Sequence, residues 1–255
     1  MEGPRAVGEL AFFATFRPLL DLAPHGDGHP VLVLPGLGAG DRSTIPMRGY
    51  LRRLGYQVHG WGLGVNRPSS LLLTQLWRRF DELYERHDHQ PVSLIGWSLG
   101  GIYAREIARE RPVAVRQVIT LGSPFRDVPG EESHPTAWLR MMSPGQPRRR
   151  PGQGPLPVPS TAVFSRTDGI VPWKASRDVG RTVGPDGRSA AMPGTLRAES
   201  IEVISSHCGL GHHPGVLWAV ADRLAQPLGV HTDFAPGAPW SALYPKRRTS
   251  RKRST

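Results

Sequence analysis

The chain has 255 residues, 38% of them hydrophobic, which excludes disorder as the main state and suits one large domain or two small ones with a sizeable core. Charged residues make up 21% with both signs present, and no apolar run approaches the roughly 18 to 20 residues of a membrane-spanning helix. A single cysteine, Cys208, excludes internal disulfides and Cys-rich metal folds, and the formal net charge of +11 is mostly local, with six basic side chains and no acids in the last ten residues.

An acidic residue stands early in the chain, and Arg17-Pro18 interrupts the apolar stretch Leu10 to Phe16 without a small-residue cleavage pattern, so cytoplasmic residence is the expectation. Val7, Leu10, Ala11, Ala14 and Leu19 recur near helical spacing and predict an amphipathic helix docked on the core, with membrane association as the second reading. Residues 1–30 are this helix and its linker.

The run Val31 to Leu34 reads as a buried strand ending in the tight loop Pro35-Gly-Leu-Gly-Ala-Gly40. A helix follows from about Ile45 to Leu54 and stops at Gly55, and Gln57 to Trp61 is the next strand. Leu71, Leu72, Leu76, Phe80, Leu83 and Tyr84 fall on one side of a 3.6-residue repeat, which predicts a long helix through about Arg86. Strands Val92 to Gly96 and Val115 to Leu121 flank a helix that begins at Leu99; strands Thr161 to Phe164 and Ser200 to Ile204 and the helix Val216 to Leu224 follow. Six strands alternating with helices predict an α/β fold over residues 31–228, a doubly wound, mainly parallel sheet with helices on both faces.

Two stretches break the alternation. Pro124 to Pro159 is rich in Pro, Gly and Arg, with one short helix predicted at Thr136 to Met142, and reads either as a lid-like insertion or as plain disorder. Lys174 to Glu199 reads as a surface excursion. Residues 229–255 form a C-terminal extension, whose tail from Lys246 reads as solvated and disordered; peripheral contact with an anionic surface is the alternative, and no specific nucleic-acid partner is expected.

The strongest chemical signal is Gly96-Trp97-Ser98-Leu99-Gly100-Gly101, a GxSxG sequence between a predicted strand and a predicted helix. A serine at such a turn has strained backbone and projects its hydroxyl at the carboxyl edge of the sheet, and it needs a base with a partner fixing its tautomer. Asp168 stands just past the strand Thr161 to Phe164, and His207 just past the strand that ends near Ile204, at the edge where catalytic groups of open α/β sheets collect. The order Ser98, Asp168, His207 is that of an α/β-hydrolase. For the developing oxyanion, backbone N–H groups of Leu99 and of Leu37, in the loop after the first strand, are the candidate donors. Among the other histidines, His87 and His89 read as exposed, and His212 and His213 as lining the loop around His207. No metal or cofactor site is expected, because no third ligand accompanies any histidine pair and no phosphate-binding motif appears.

With these residues in place the chain resembles the α/β-hydrolase superfamily and, within it, the bacterial esterase and triacylglycerol-lipase-like branch, over roughly Val31 to Leu224. VLVLPGLGAGD, GYQVHGWGLGVN, SLIGWSLGG, TLGSPF, SRTDGIVP and SSHCGLGHHP carry the likeness. It implies an acyl-enzyme mechanism, with Ser98 matching the nucleophile, His207 the base and Asp168 its acid partner, and a lid where Pro124 to Pro159 stands. Pro35-Gly36 stands where lipases commonly carry His-Gly before the oxyanion donor, which bears on the substrate more than on the mechanism because the donor is a backbone amide; true lipases are usually secreted, and without a visible signal peptide an intracellular esterase is expected rather than an exported lipase. The expected function is therefore hydrolysis of a small-molecule or lipid acyl ester; an acyltransferase using the same triad and an inert binding scaffold are the alternatives. Trp97, Trp138, Met141 and Met142 are candidate lining for an acyl pocket, although core packing explains any one of them.

Overall fold

Neighbouring residues of a strand face opposite sides of its sheet, so a strand that is apolar throughout must be covered on both. In β1 (Pro30–Leu34) every residue is buried: Val31 and Val33 join one apolar cluster, Leu32 and Leu34 the other. The computed structural model describes residues 2–67, 69, 71–126, 128, 155–178 and 198–245. The helix expected at Thr136 to Met142, with Trp138, and the basic tail lie outside these residues.

After α1 (Glu2–Leu20) and β1 come α2 (Ile45–Arg53), β2 (Gln57–Gly60), α3 (Leu72–Arg86), β3 (Val92–Trp97), α4 (Leu99–Glu110), β4 (Val115–Leu121), β5 (Ser160–Ser165), β6 (Ala198–Val203) and α5 (Pro214–Leu224). The six strands form one sheet in the order β2-β1-β3-β4-β5-β6, and every neighbouring pair is parallel. On one face α2 and α5 bury Met47, Tyr50, Leu51, Val216, Leu217 and Val220; on the other α3 and α4 bury Leu76, Phe80, Leu83, Ile102 and Ile107. The doubly wound sheet is as expected, and its strand order reverses between β1 and β3, which opens a crevice beyond their carboxyl ends.

The N-terminal helix forms, but with the other face turned inward. Val7 is 70% exposed, Leu10 44% and Leu19 45%, and Ala11 and Ala14 are exposed as well. The inward face carries Glu2, Ala6, Glu9, Phe13, Phe16 and Leu20, an equally good helical stripe whose upper half is polar. The extension after α5 is packed on the fold as far as Pro245: Trp240 stacks on Trp218 at 3.6 Å, and the Tyr244 hydroxyl donates to the Gly215 carbonyl at 2.7 Å.

At the amino edge of the sheet a polar network, buried at His29 and Ser93 and half exposed at Asp27, ties β1 to its neighbours. His29 Nδ1 donates to Asp27, His29 Nε2 accepts from Ser93 Oγ at 2.8 Å, and Arg116 Nη1 donates to Asp27 Oδ2 at 2.7 Å. Burial pushes the Asp27 carboxyl up, but the hydrogen bonds from His29 and Arg116 overcome it and hold the group at about 2. Burial dominates for His29 and lowers its pKa. Both groups release protons more readily folded than unfolded, so their stabilisation is present at neutral pH and is lost on acidification, first as the pH falls below about 6.5 and then from about 4 toward 2. His29→Ala leaves a buried Ser93 hydroxyl unpaired and a cavity; it is expected to lower the unfolding free energy by about 2–4 kcal/mol at pH 7 and to flatten its acid dependence, read from urea unfolding at several pH values.

Candidate active site

Between the last residue of β3 and the first of α4 stands Ser98, with φ 52° and ψ −121°, a left-handed conformation that a residue bearing a Cβ adopts only under constraint. The constraint is close packing. A Cβ on Gly96 would lie 2.3 Å from Gly101 Cα, and one on Gly100 would lie 2.4 Å from the Leu34 carbonyl oxygen, so the turn closes only with glycine at these places. The Ser98 amide donates to the Leu121 carbonyl at 2.8 Å and fastens the turn to β4. Only 5% of the residue remains exposed.

The loop after β5 presents Asp168 and the loop after β6 presents His207, at the same rim. His207 Nδ1 donates to Asp168 Oδ2 at 2.7 Å, while Asp168 Oδ1 accepts from the amides of Ile170 at 2.9 Å and Val171 at 2.8 Å. Both side chains are almost completely buried, at 7% and 2% exposure. With its Nδ1 proton directed at the carboxylate, the neutral ring keeps Nε2 free to accept a proton. The pair sits against Gly122 (φ +56°), whose Cβ would lie 3.1 Å from Asp168 Oδ2 and 3.2 Å from His207 Nδ1. Gly122 directly follows Leu121, the acceptor for the Ser98 amide, and the Trp97 indole donates to the His207 carbonyl at 3.1 Å. The Ser98 turn and the His207–Asp168 pair are thus joined through residues 97 and 121–122. Among the described residues no hydrogen bond links Ser98 Oγ to His207; such bonds are commonly long before substrate binds.

The loop after β1 approaches from the other side. A Cβ on Gly36 would lie 3.3 Å from Ser98 Cβ and 3.9 Å from its Oγ. Leu37 follows in a turn, and neither its amide nor that of Leu99 has an acceptor among the described residues. Buried Asn66 shapes this loop: its Nδ2 donates to the Pro35 carbonyl at 2.8 Å, and its carbonyl accepts from the Gly38 amide at 2.8 Å.

Asn66 and Gly122 are structural groups of the site that periodicity and motif do not single out, and Trp97, expected only as pocket lining or core, instead ties its indole to the His207 loop; each lies in one of the segments that carry the family resemblance. His212 and His213 line the His207 loop as expected, but buried: His212 Nε2 donates to the Ala6 carbonyl at 2.9 Å, and His213 Nδ1 accepts from the Gly215 amide and caps α5. His87, expected to be exposed, pairs with His59 at 2.9 Å between their Nε2 atoms. Burial, then the neighbouring His87, lowers His59 to about 4. Among the described residues no group of three or more His, Cys, Asp or Glu side chains is placed to hold a metal ion.

A second Ser–His–Asp series, Ser93, His29 and Asp27, stands at the amino edge. There the serine and histidine are fully buried and Ser93 lies inside β3, so no substrate reaches it. Relief of strain distinguishes Ser98. Ser98→Gly and Ser98→Ala remove the same hydroxyl, yet the glycine variant is expected to be the more stable by about 1 kcal/mol in urea unfolding, because only the alanine retains a Cβ at positive φ.

No family model matches the chain. Over 105 residues it is 30% identical to a pimeloyl-(acyl-carrier protein) methyl ester esterase of Legionella pneumophila, covering 41% of this chain and 42% of that protein. Over 108 residues it is 31% identical to serine hydrolase BPHL of Mus musculus, covering 38% and 37%, and over 137 residues 36% identical to pyochelin synthetase PchF of Pseudomonas aeruginosa, covering 48% and 7%. The chain thus spans less than half the length of these curated relatives. Among solved structures, the pyrethroid hydrolase PytH superposes with a TM-score of 0.52 at 17% identity, over 76% of this chain and 96% of that one. A structure from the metagenome-derived lipolytic enzymes LipS and LipT superposes with a TM-score of 0.50 at 17% identity, over 73% and 88%. Identities this low speak for the fold alone, and with the parallel sheet and the strained strand-to-helix turn they agree on it: the chain has the α/β-hydrolase fold.

Proposed function

We propose that the protein is a serine hydrolase that cleaves carboxylic esters through an acyl-enzyme, with Ser98 as nucleophile, His207 as general base and then general acid, and Asp168 as the partner that orients the imidazole. The observation that carries this reading is the buried His207–Asp168 hydrogen bond at the rim where Ser98 occupies a strained strand-to-helix turn. The esterase and serine hydrolase among the relatives support it.

In the first half-reaction Ser98 Oγ attacks the ester carbonyl carbon while its proton passes to His207 Nε2, forming the C–O bond of a tetrahedral intermediate. The negative charge on the former carbonyl oxygen meets the free amides of Leu99 and Leu37, whose dipoles are already oriented and cost little reorganisation. The intermediate collapses as the alcohol leaves with the proton from His207. Water then attacks the acyl-enzyme carbonyl, gives a proton to His207, and releases the acid when Ser98 Oγ takes that proton back. Asp168 stays ionised throughout and stabilises the imidazolium, while the Ile170 and Val171 amides keep its second oxygen in place.

The substrate class follows from this chemistry: an acyl ester, small or lipidic, whose carbonyl reaches a nearly buried hydroxyl. Ser98→Ala is expected to abolish both fluorophosphonate labelling and hydrolysis of nitrophenyl esters with an unchanged circular-dichroism spectrum. Asp168→Asn is expected to lower kcat on the order of 10³- to 10⁴-fold, because the imidazole then adopts the wrong tautomer. Labelling that survives Ser98→Ala overturns the assignment.

A further inference from the structure

We propose that Glu2 and Glu9 of the N-terminal helix are positioning residues of the active site, which hold the acid loop and the base loop in register with Ser98. The inference rests on the Ser98–His207–Asp168 reading above and concerns residues outside that triad.

The contacts fall on the immediate neighbours of the acid and the base. Glu2 Oε1 accepts from the Gly169 amide at 2.9 Å, and its Oε2 accepts from the Cys208 amide at 3.2 Å, so one carboxylate links the residue after Asp168 to the residue after His207. Glu9 Oε1 accepts from the Ser206 amide at 2.7 Å; its Oε2 accepts from Ser206 Oγ at 2.6 Å and Ser205 Oγ at 3.3 Å, just before His207. Arg5 completes the set by donating to the Thr167 carbonyl at 2.7 Å and to Thr167 Oγ1 at 3.0 Å. Residues 167 and 169, and 206 and 208, are thus all bonded to one helix, while Asp168 and His207 between them face the rim.

The loops are shaped for these carboxylates. A Cβ on Gly209 would lie 1.3 Å from Glu9 Oε2, far inside its van der Waals radius, and one on Gly169 would lie 2.7 Å from Glu2 Oε1. Hydrogen bonds from neutral donors to an ionised carboxylate are roughly twice as strong as neutral ones, and several of them on two loops fix a geometry that loops alone leave soft. Small errors there are costly, since a misplacement of about 1 Å remote from the chemistry can cost on the order of 10²-fold in rate. The helix therefore acts on turnover without touching the reacting atoms.

The test compares Glu2→Ala/Glu9→Ala, Glu9→Gln and Gly209→Ala with the unaltered chain and with Val7→Ser, on the exposed face of the same helix. The double variant and Gly209→Ala are expected to lose about 10- to 100-fold in kcat for a nitrophenyl ester with KM within about twofold. Glu9→Gln, which keeps an acceptor for the Ser206 amide, is expected to recover much of that loss, and Val7→Ser to change nothing. Amide hydrogen exchange is expected to quicken at Gly169, Ser206 and Cys208 in the double variant while the strands stay protected. Turnover that is unchanged in both the double variant and Gly209→Ala overturns the proposal, whatever the exchange shows. If the double variant does not fold, Glu9→Ala and Gly209→Ala decide by the same kcat criterion and by exchange at Ser206. Hydrolysis that survives Ser98→Ala condemns the nucleophile assignment instead; unchanged exchange at those three amides then overturns the role of the helix separately.

Discussion

The close approach of α4 to the end of β1 governs the geometry of the rim. Helix α4 must begin one residue after β3 ends, and its first turn must cross the carboxyl end of the neighbouring strand, where the Leu34 carbonyl leaves no room for a Cβ on Gly100. Holding Ser98 at positive φ costs about 1–2 kcal/mol, and the turn persists because β3 lies between β1 and β4 and its backbone is bonded on both sides. The same approach brings Gly36 against Ser98, so one packing constraint sets both the hydroxyl and the loop that carries the Leu37 amide.

Hydrogen-bond geometry alone does not separate a reactive set from an inert one here. The network of Asp27, His29 and Ser93 has the connectivity of a catalytic triad, and its histidine even carries the corresponding tautomer. Its serine, however, sits within a strand in ordinary extended backbone, and both Ser93 and His29 are sealed from solvent. That network satisfies polar groups that β1 and β3 bury at their amino ends, which is a structural task. At the opposite edge Ser98 stands past the carboxyl end of β3 and keeps 5% exposure, and its positive φ marks where backbone stability has yielded to placement of a side chain.

Most of the fold is legible in the sequence because strands such as β1 and β3 are short, mostly apolar runs and helix α3 keeps one apolar stripe. Ser98, Asp168 and His207 are legible for a topological reason: each directly follows a strand, and parallel strands deliver all such positions to one edge whatever their separation along the chain. The face of α1 is not legible. Its apolar residues lie on both sides, with Phe13, Phe16 and Leu20 on one and Val7, Leu10 and Leu19 on the other, so periodicity does not choose between them. The choice is made by the bonds of Glu2 and Glu9 to loop residues more than 160 positions away, and no local pattern holds that information. Asn66 and His29 escape for the same reason, since each acts through partners distant in the chain.

The three loops of the rim are fastened by different means, and the differences say where the geometry is most easily lost. Ser98 is held by the rigid centre of the sheet. Asp168 is held by the amides of its own loop, at Ile170 and Val171, and so carries part of its constraint with it. His207 has neither advantage: β6 is an edge strand, and the ring is fixed by Asp168 on one side while its carbonyl is fixed by the Trp97 indole. The α1 carboxylates supply a third point by gripping Ser206 and Cys208 on either side of it. On the proposed mechanism His207 moves a proton in both halves of the cycle and must keep its direction through both, and the edge position of β6 makes an external brace the simplest way to provide that.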